Sequence, residues 1–329
     1  MIFLYIVIAL VLVFDFVNGF HDSANSIATE VSTKVLSPIA AVSMAAFFNF
    51  VAFLIFPLKV ATTIGKGVIN PDIVNLTLIA SAVTAAIIWN LLTWWYGLPS
   101  SSSHTLVGGL VGAAVASSGW SSVIYAGVIK IVIFIVIAPL LGMIMSFIIS
   151  AIVIFLARNH SPSGIDKHFR RLQLLSAAAF SLGHGGNDAQ KSMGIIWVAL
   201  IATGFTTKND PIALWIVLSC HSAIALGTLF GGWRIVKTMG QKITKLKPFE
   251  GFCAESAGAL TLFGATHFGI PVSTTHTITG AIIGAGARKG ASAVKWGVTT
   301  KIFWAWILTI PVSALIGSSI FFLLNRILT

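Results

Sequence analysis

Two aspartates, Asp22 and Asp188, lie inside apolar stretches of the chain, in Gly19-Phe-His-Asp-Ser-Ala-Asn25 and Gly185-Gly-Asn-Asp-Ala-Gln-Lys191. An acid in a membrane span costs about 2.5–3.5 kcal/mol on insertion scales, so each needs a partner or a wet cavity. With Asn25, Asn187 and backbone carbonyls, these carboxylates are the hard oxygen ligands that a small cation such as Na⁺ prefers. Two hydroxyl runs supply the opposite chemistry: Ser101, Ser102, Ser103, His104 and Thr105, then Ser273, Thr274, Thr275, His276 and Thr277. Each follows a Gly-x-Pro break and precedes a Gly-spaced apolar run, the pattern of a capped helix start. Free N–H groups and the positive dipole end there form an anion site. Ser101 and Ser273, the first hydroxyls, are also candidate cation ligands, and Gln190 and Lys191 extend the anion site. Lys191 either contacts the anion or neutralises Asp188.

A protonated phosphate offers hydrogen-bond donors, which carboxylates accept, whereas sulfate offers acceptors only. The mixture of carboxylates and hydroxyls therefore favours phosphate over sulfate. An anion and cations meeting at one place offset each other's charge, which is the requirement of symport. An anion channel is disfavoured, because carboxylates would stand on its axis.

The two sets are copies. At a constant offset of 172, Gly97, Pro99, Ser101, His104, Thr105, Gly108, Gly112 and Ala113 meet identical residues, and Pro139 meets Pro311. A shorter match lays Asp22 on Asp188 and Ser26 on Ser192. A Ser–His nucleophile is disfavoured because no acid is spaced to orient either histidine and the motif occurs twice. His104 and His276 are expected to hydrogen-bond within their turns. With Glu255, an intramembrane acid lacking a first-half counterpart, they are candidates for coupling or gating. Asp15 is a further acid on an apolar face.

Of the 329 residues, 57% are hydrophobic and 9% charged, with a net charge of +11. Soluble domains carry about 25% charged residues, so a soluble enzyme and a nucleic-acid binder are excluded and an all-α polytopic membrane protein is expected. Cys220 and Cys253 have no partner spacing and read as buried free thiols. The first residues have no basic leader and read as a retained span. Apolar runs predict spans at 1–20, 37–58, 72–95, 96–118, 121–157, 171–204, 211–233, 250–267, 270–287 and 296–328. The polar stretch 158–170 divides a first repeat (1–157) from a second (171–329). With five crossings per half, Lys34 and the basic loops around 158–171, 234–247 and 288–301 share one side; Lys59, Lys66, Lys208 and Arg326 take the other. The basic side is cytoplasmic by the positive-inside rule. Both termini are then outside, and an odd number of crossings makes the repeats inverted. The Gly- and Asn-rich surroundings of Asp22 and Asp188 are expected to interrupt their helices at the midplane, with helical hairpins carrying the hydroxyl runs.

These four motifs, in this order and spread over essentially the whole chain, resemble the inorganic phosphate transporter (PiT) family. The resemblance implies secondary transport of inorganic phosphate coupled to Na⁺ in many members and to H⁺ in others, inverted repeats, and often a homodimer in the lipid bilayer. It implies no cofactor beyond the coupling ion, Na⁺ being expected and H⁺ the alternative. His21-Asp22 stands where many members have Asn-Asp, and Asn49 and Ala80 where eukaryotic members have Glu, while Glu255 fits their second-half Glu. A sulfate permease lineage is related to the family, so sulfate remains a lesser alternative.

Overall fold

A computed structural model describes residues 1–158 and 161–328, which are helical apart from turns and one isolated bridge between Ile69 and Val123. The helices are α1 (Ile2–Ser32), α2 (Pro38–Val51), α3 (Lys59–Gly67), α4 (Leu76–Trp95), α5 (Ser102–Ser118), α6 (Tyr125–Ala157), α7 (Pro162–Ala202), α8 (Leu214–Phe230), α9 (Trp233–Lys237), α10 (Pro248–His267), α11 (Thr274–Ala287) and α12 (Trp296–Leu328). Each of the ten expected spans contains a helix. The polar stretch read as a linker is helical from Pro162 onward, with residues 159 and 160 outside the described set.

Among the described residues, four helices (α1, α4, α6 and α12) are long and apolar enough to cross a membrane alone, or up to six if the bent pairs α2–α3 and α8–α9 each count as one span. The hydroxyl-rich α5 and α11 need no such apolarity, because every residue from Ser102 to Ala114 and from Thr274 to Gly286 is buried by other helices. Ile129, Val132, Ile133, Val136 and Leu140 of α6 point outward instead, an exposed apolar face that hydrocarbon would solvate. Cys220 and Cys253 are buried free thiols, as expected.

The expected interruption at the aspartates does not occur: α1 and α7 run unbroken through Asp22 and Asp188. The glycines there let neighbours approach. A Cβ on Gly19 would strike the Ile224 carbonyl, one on Gly185 the Asn49 backbone, and one on Gly194 the Ala61 carbonyl. The breaks lie on the neighbouring helices, where α2–α3 bends by 86° and α8–α9 by 61°, the latter at Gly231 in the left-handed region (φ 69°).

Two helical hairpins, α4–α5 and α10–α11, do form, and their turns are built alike. Gly97 (φ 64°) and Gly269 (φ 67°) end α4 and α10. The amides of Gly97 and Leu98 donate to Trp94 and Thr93, and those of Gly269 and Ile270 to Thr266 and Ala265, a Schellman closure in both. Arg234 and Thr238 hold the first turn through the carbonyls of Trp95 and Gly97; Lys59 and Thr63 hold the second through those of His267 and Gly269.

Each hairpin's second helix then packs on the last helix of the other half. A Cβ on Gly108 or Gly112 would overlap Ile310, Ser313 or Ala314 of α12; one on Gly280 or Gly284 would overlap Pro139 or Met143 of α6. Small-xxx-small spacing thus serves close backbone approach. Gly264, by contrast, has open space where a Cβ would go. Gly112→Ala is therefore expected to destabilise by about 1–3 kcal/mol through overpacking, whereas Gly264→Ala gains up to about 1 kcal/mol of helix propensity. Melting of the purified protein in detergent orders the two variants, and equal melting points would refute the packing argument.

Candidate functional site

Two apolar clusters fill the interior. One joins the first half of α1 to α3, α4, α5 and the end of α7; the other joins the second half of α1 to α2, α10 and α11. Between them lies a polar layer where α1, α7 and the starts of α5 and α11 converge. Asp22 and Asp188 are both fully buried in it.

Asp22 Oδ2 accepts from the Ser102 hydroxyl at 2.9 Å, while Oδ1 lies 2.6 Å from His21 Nδ1 and 3.5 Å from the Thr275 hydroxyl. Asp188 Oδ1 accepts from Lys191 Nζ at 2.5 Å, and Oδ2 accepts from Thr274 at 3.3 Å and faces His184 Nε2 at 3.4 Å. Lys191 also donates to the Ser103 hydroxyl and, at 3.1 Å, to the Val272 carbonyl. Asn25 Nδ2 donates to Thr275 at 2.9 Å and Thr274 at 3.3 Å. The pattern is reciprocal. Each aspartate bonds the first helical hydroxyl of its own half's hairpin, Ser102 or Thr274. The residue three positions on, Asn25 or Lys191, reaches the next hydroxyl of the opposite hairpin, Thr275 or Ser103.

Of the residues singled out from sequence, Asp22, Asn25, Ser102, Ser103, Asp188, Lys191, Thr274 and Thr275 therefore meet. The others are placed differently. Ser101 and Ser273 cap α5 and α11, accepting from the amides of His104 and His276. Thr105 donates to Asn90 and the Ser102 carbonyl, and Thr277 to the Ser273 carbonyl, so both hydroxyls serve the hairpins themselves. Asn187 clamps the second hairpin through Thr266 and the Ile270 carbonyl. His21, its counterpart, faces Thr93 and Ser100 of the first hairpin at 3.2 and 3.3 Å. The His/Asn difference between the halves thus preserves one positioning task, although His21 also touches Asp22. Gln190 spends its amide on the α2–α3 break: its oxygen accepts from the amides of Val60 and Ala61, and its nitrogen donates to Pro57 and Gly186.

The histidines correct an expectation. The amides of His104 and His276 bond within their turns, but the imidazole rings do not: the rings meet each other, centroids 4.7 Å apart, His276 Nδ1 lies 3.4 Å from the Ile135 carbonyl oxygen, and His276 stacks on Trp306 at 3.9 Å. Glu255 lies elsewhere, accepting from Gln173 and Ser176 of α7. Asp15 accepts from Ser192 at 2.7 Å and ties α1 to α7.

One participant was missed as a ligand. Oxygens of Asp22 and Asp188 and a ring nitrogen of His184 lie within 4.8 Å of one another, all buried, a set able to hold a cation. His184 is oriented by Asn49, whose amide oxygen lies 3.0 Å from Nδ1. The signal was present, since positions 184 and 188 share a helix face. Expecting the helix to break at Asp188 concealed it.

The electrostatics are specific. Two ionised carboxylates with oxygens no more than 4.8 Å apart repel by roughly 3.5 kcal/mol or more at an effective dielectric of about 20. Lys191 is the one cationic side chain ion-paired to them among the described residues, apart from the histidines. Two helix N-termini add positive potential and hydroxyl donors.

Residues 18–317 match the model of the phosphate transporter family. The chain belongs to that family. It is 56% identical over 315 residues to a "probable low-affinity inorganic phosphate transporter" of Rhizobium meliloti (strain 1021), covering 96% of this chain and 94% of the relative. A Bacillus subtilis (strain 168) protein of the same description is 43% identical over 324 residues, covering 98% and 97%. Among solved structures, one described as "the sodium-dependent phosphate transporter" superposes with a TM-score of 0.89 at 27% identity, covering 99% of this chain and 100% of that one. The family and these relatives are transporters, so this chain is a transporter and not an enzyme.

In this family member, Lys191→Met should strand Asp188 as a buried charge and cost about 3–5 kcal/mol. Adding Asp188→Asn should recover much of that loss, because paired charges are not additive. Thermal unfolding of the single and double variants measures it, and no recovery would show that the pair does not hold the layer together.

Proposed function

We propose that this chain moves inorganic phosphate across the cell membrane as a secondary active transporter, by symport with a cation, and that the coupling ion is Na⁺. The observation that carries the reading is the convergence of two buried carboxylates and one lysine beneath two hydroxyl-rich helix starts. Ser102, Ser103, Thr274 and Thr275 donate to the phosphate oxygens, and Lys191 contributes the fixed positive charge. Asp22 and Asp188 accept from protonated phosphate oxygens, which sulfate lacks. The same carboxylates, with His184 and the Asn25 amide oxygen, coordinate the cation that offsets the anion. The kinship to a solved sodium-dependent phosphate transporter supports Na⁺ as that cation.

The halves act as inverted repeats with both termini outside, and two copies assemble as a homodimer in the bilayer. Transport proceeds by rearranging the halves around the midplane layer. The reciprocal hairpin contacts support this, because any motion of one half displaces hydroxyls bound to the other.

Labelled phosphate uptake into proteoliposomes under separately imposed Na⁺ and H⁺ gradients tests the reading. An inward Na⁺ gradient should drive accumulation, and excess sulfate should compete poorly. Uptake driven by the H⁺ gradient alone would replace Na⁺ with H⁺, and indifference to both would end the symport reading. Asp22→Asn and Asp188→Asn should each reduce uptake to background while the protein still inserts; normal uptake by either would remove that carboxylate from the site.

A further inference from the structure

Eight residues beyond Asp22 on α1, about 12 Å along the helix axis, lies a second pair of buried acids that the phosphate site does not use. Glu30 of α1 and Glu255 of α10 are both fully buried. The Thr29 hydroxyl donates to Glu30 Oε2 at 2.8 Å, and Gln173 of α7 joins the two acids' surroundings, accepting at 3.0 Å from Thr33, one turn beyond Glu30, and donating to Glu255. The two carboxyls differ in their partners. Both oxygens of Glu255 accept bonds, Oε1 from Gln173 at 2.8 Å and Oε2 from Ser176 at 2.5 Å, as an ionised carboxylate does. Glu30 Oε1, in contrast, is buried with no hydrogen-bond partner.

The surroundings offer no counter-charge. Among the described residues, no Lys, Arg or His is ion-paired with Glu30 or Glu255. Around them, Glu250 of α10 is paired with Lys289 at 2.7 Å, Cys253 is a buried thiol, and Arg170 of α7 donates to the Lys34 carbonyl. His168 and Arg171 of α7, Lys237 of α9 and Lys242 beyond it are exposed, and neither α2 nor α4 carries a titratable side chain. From α8, His221 Nδ1 lies 2.9 Å from the Asn49 carbonyl oxygen; from α11, His276 is stacked on Trp306. Two neighbouring carboxyls buried without a cation cannot both ionise; one of them keeps a proton.

We propose that Glu30 and Glu255 form a proton-binding site, with the proton on Glu30 Oε1 and Glu255 as its carboxylate partner. The orphaned oxygen becomes an O–H donor, and the pair carries one negative charge in place of two. The site stands apart from Asp22 and Asp188, toward the end of the molecule where α1 ends and α7 and α10 begin. Its proton is bound whichever ion accompanies phosphate.

Infrared spectroscopy of the purified protein tests this without phosphate or sodium, because a protonated carboxyl has a carbonyl stretch separate from carboxylate bands. At pH 7 the wild-type minus Glu30→Gln difference spectrum should show one protonated-carboxyl band that disappears at high pH. Glu255→Gln should shift that band by changing its hydrogen-bond partner. Asp15→Asn, which alters a different buried acid, should leave it in place. If Glu30→Gln removes no such band while melting like the wild type, both acids are ionised and the proposal is wrong. Loss of the band in Glu255→Gln but not in Glu30→Gln would likewise overturn it. In proteoliposomes the pH dependence of phosphate uptake should flatten in Glu30→Gln, and an unaltered profile would disconnect the site from transport. Failure of wild-type uptake would count against the symport reading alone, since the infrared result does not depend on it.

Discussion

The structure depends on keeping two like-charged carboxylates close together away from water. Asp22 and Asp188 repel each other, and Lys191 neutralises only one of them. Everything around them offsets this without removing it. Ser102 and Thr274 donate hydrogen bonds, two helix N-termini point their dipoles inward, and apolar clusters on either side keep solvent away. In the symport reading proposed above, the residual negative charge attracts the cation and the donors receive the anion.

Maintaining that arrangement demands backbone precision. Hydroxyls at the starts of α5 and α11 must reach carboxylates on α1 and α7 within hydrogen-bond distance, which fixes how closely the helices approach. Glycine supplies the approach: Gly19, Gly185 and Gly194 admit neighbours to α1 and α7, while Gly108, Gly112, Gly280 and Gly284 seat the hairpins. Polar side chains outside the centre do the aligning. His21 and Asn187 clamp the two hairpins, and Gln190 satisfies the amides freed where α2 breaks into α3. Asn187 fastens the hairpin through its Nδ2 alone, and its Oδ1 stays buried without a hydrogen-bond partner.

Much of this was legible in the sequence. The ten apolar runs, the two hairpins, the capping serines and the duplicated aspartates all follow from local rules of hydropathy, capping and repetition. What escaped was three-dimensional. Glycine reads equally well as a break or as a close contact, and the choice depends on whether Ile224 or Asn49 is nearby, which no local pattern reveals. The error propagated: with α7 taken as broken, His184 lost its relation to Asp188, and with the first span ended at residue 20, Glu30 fell outside the apolar core. Pairings such as Lys191 with Ser103 or Asn25 with Thr275 join segments too distant in sequence for periodicity to report.

The crossed seating of the hairpins bears on how the molecule is made. Gly108 on α5 awaits α12 residues synthesised roughly two hundred positions later, a separation that makes folding slow. Until α12 emerges, the glycine face of α5 has no helix to pack on, and α6 holds open a berth for α11. The first half therefore leaves the ribosome as a half-built lock, whose polar interior is sealed only by the last helix. A chain truncated before α12 would keep every residue of the polar layer and lack the helix on which Gly108 and Gly112 of α5 are seated.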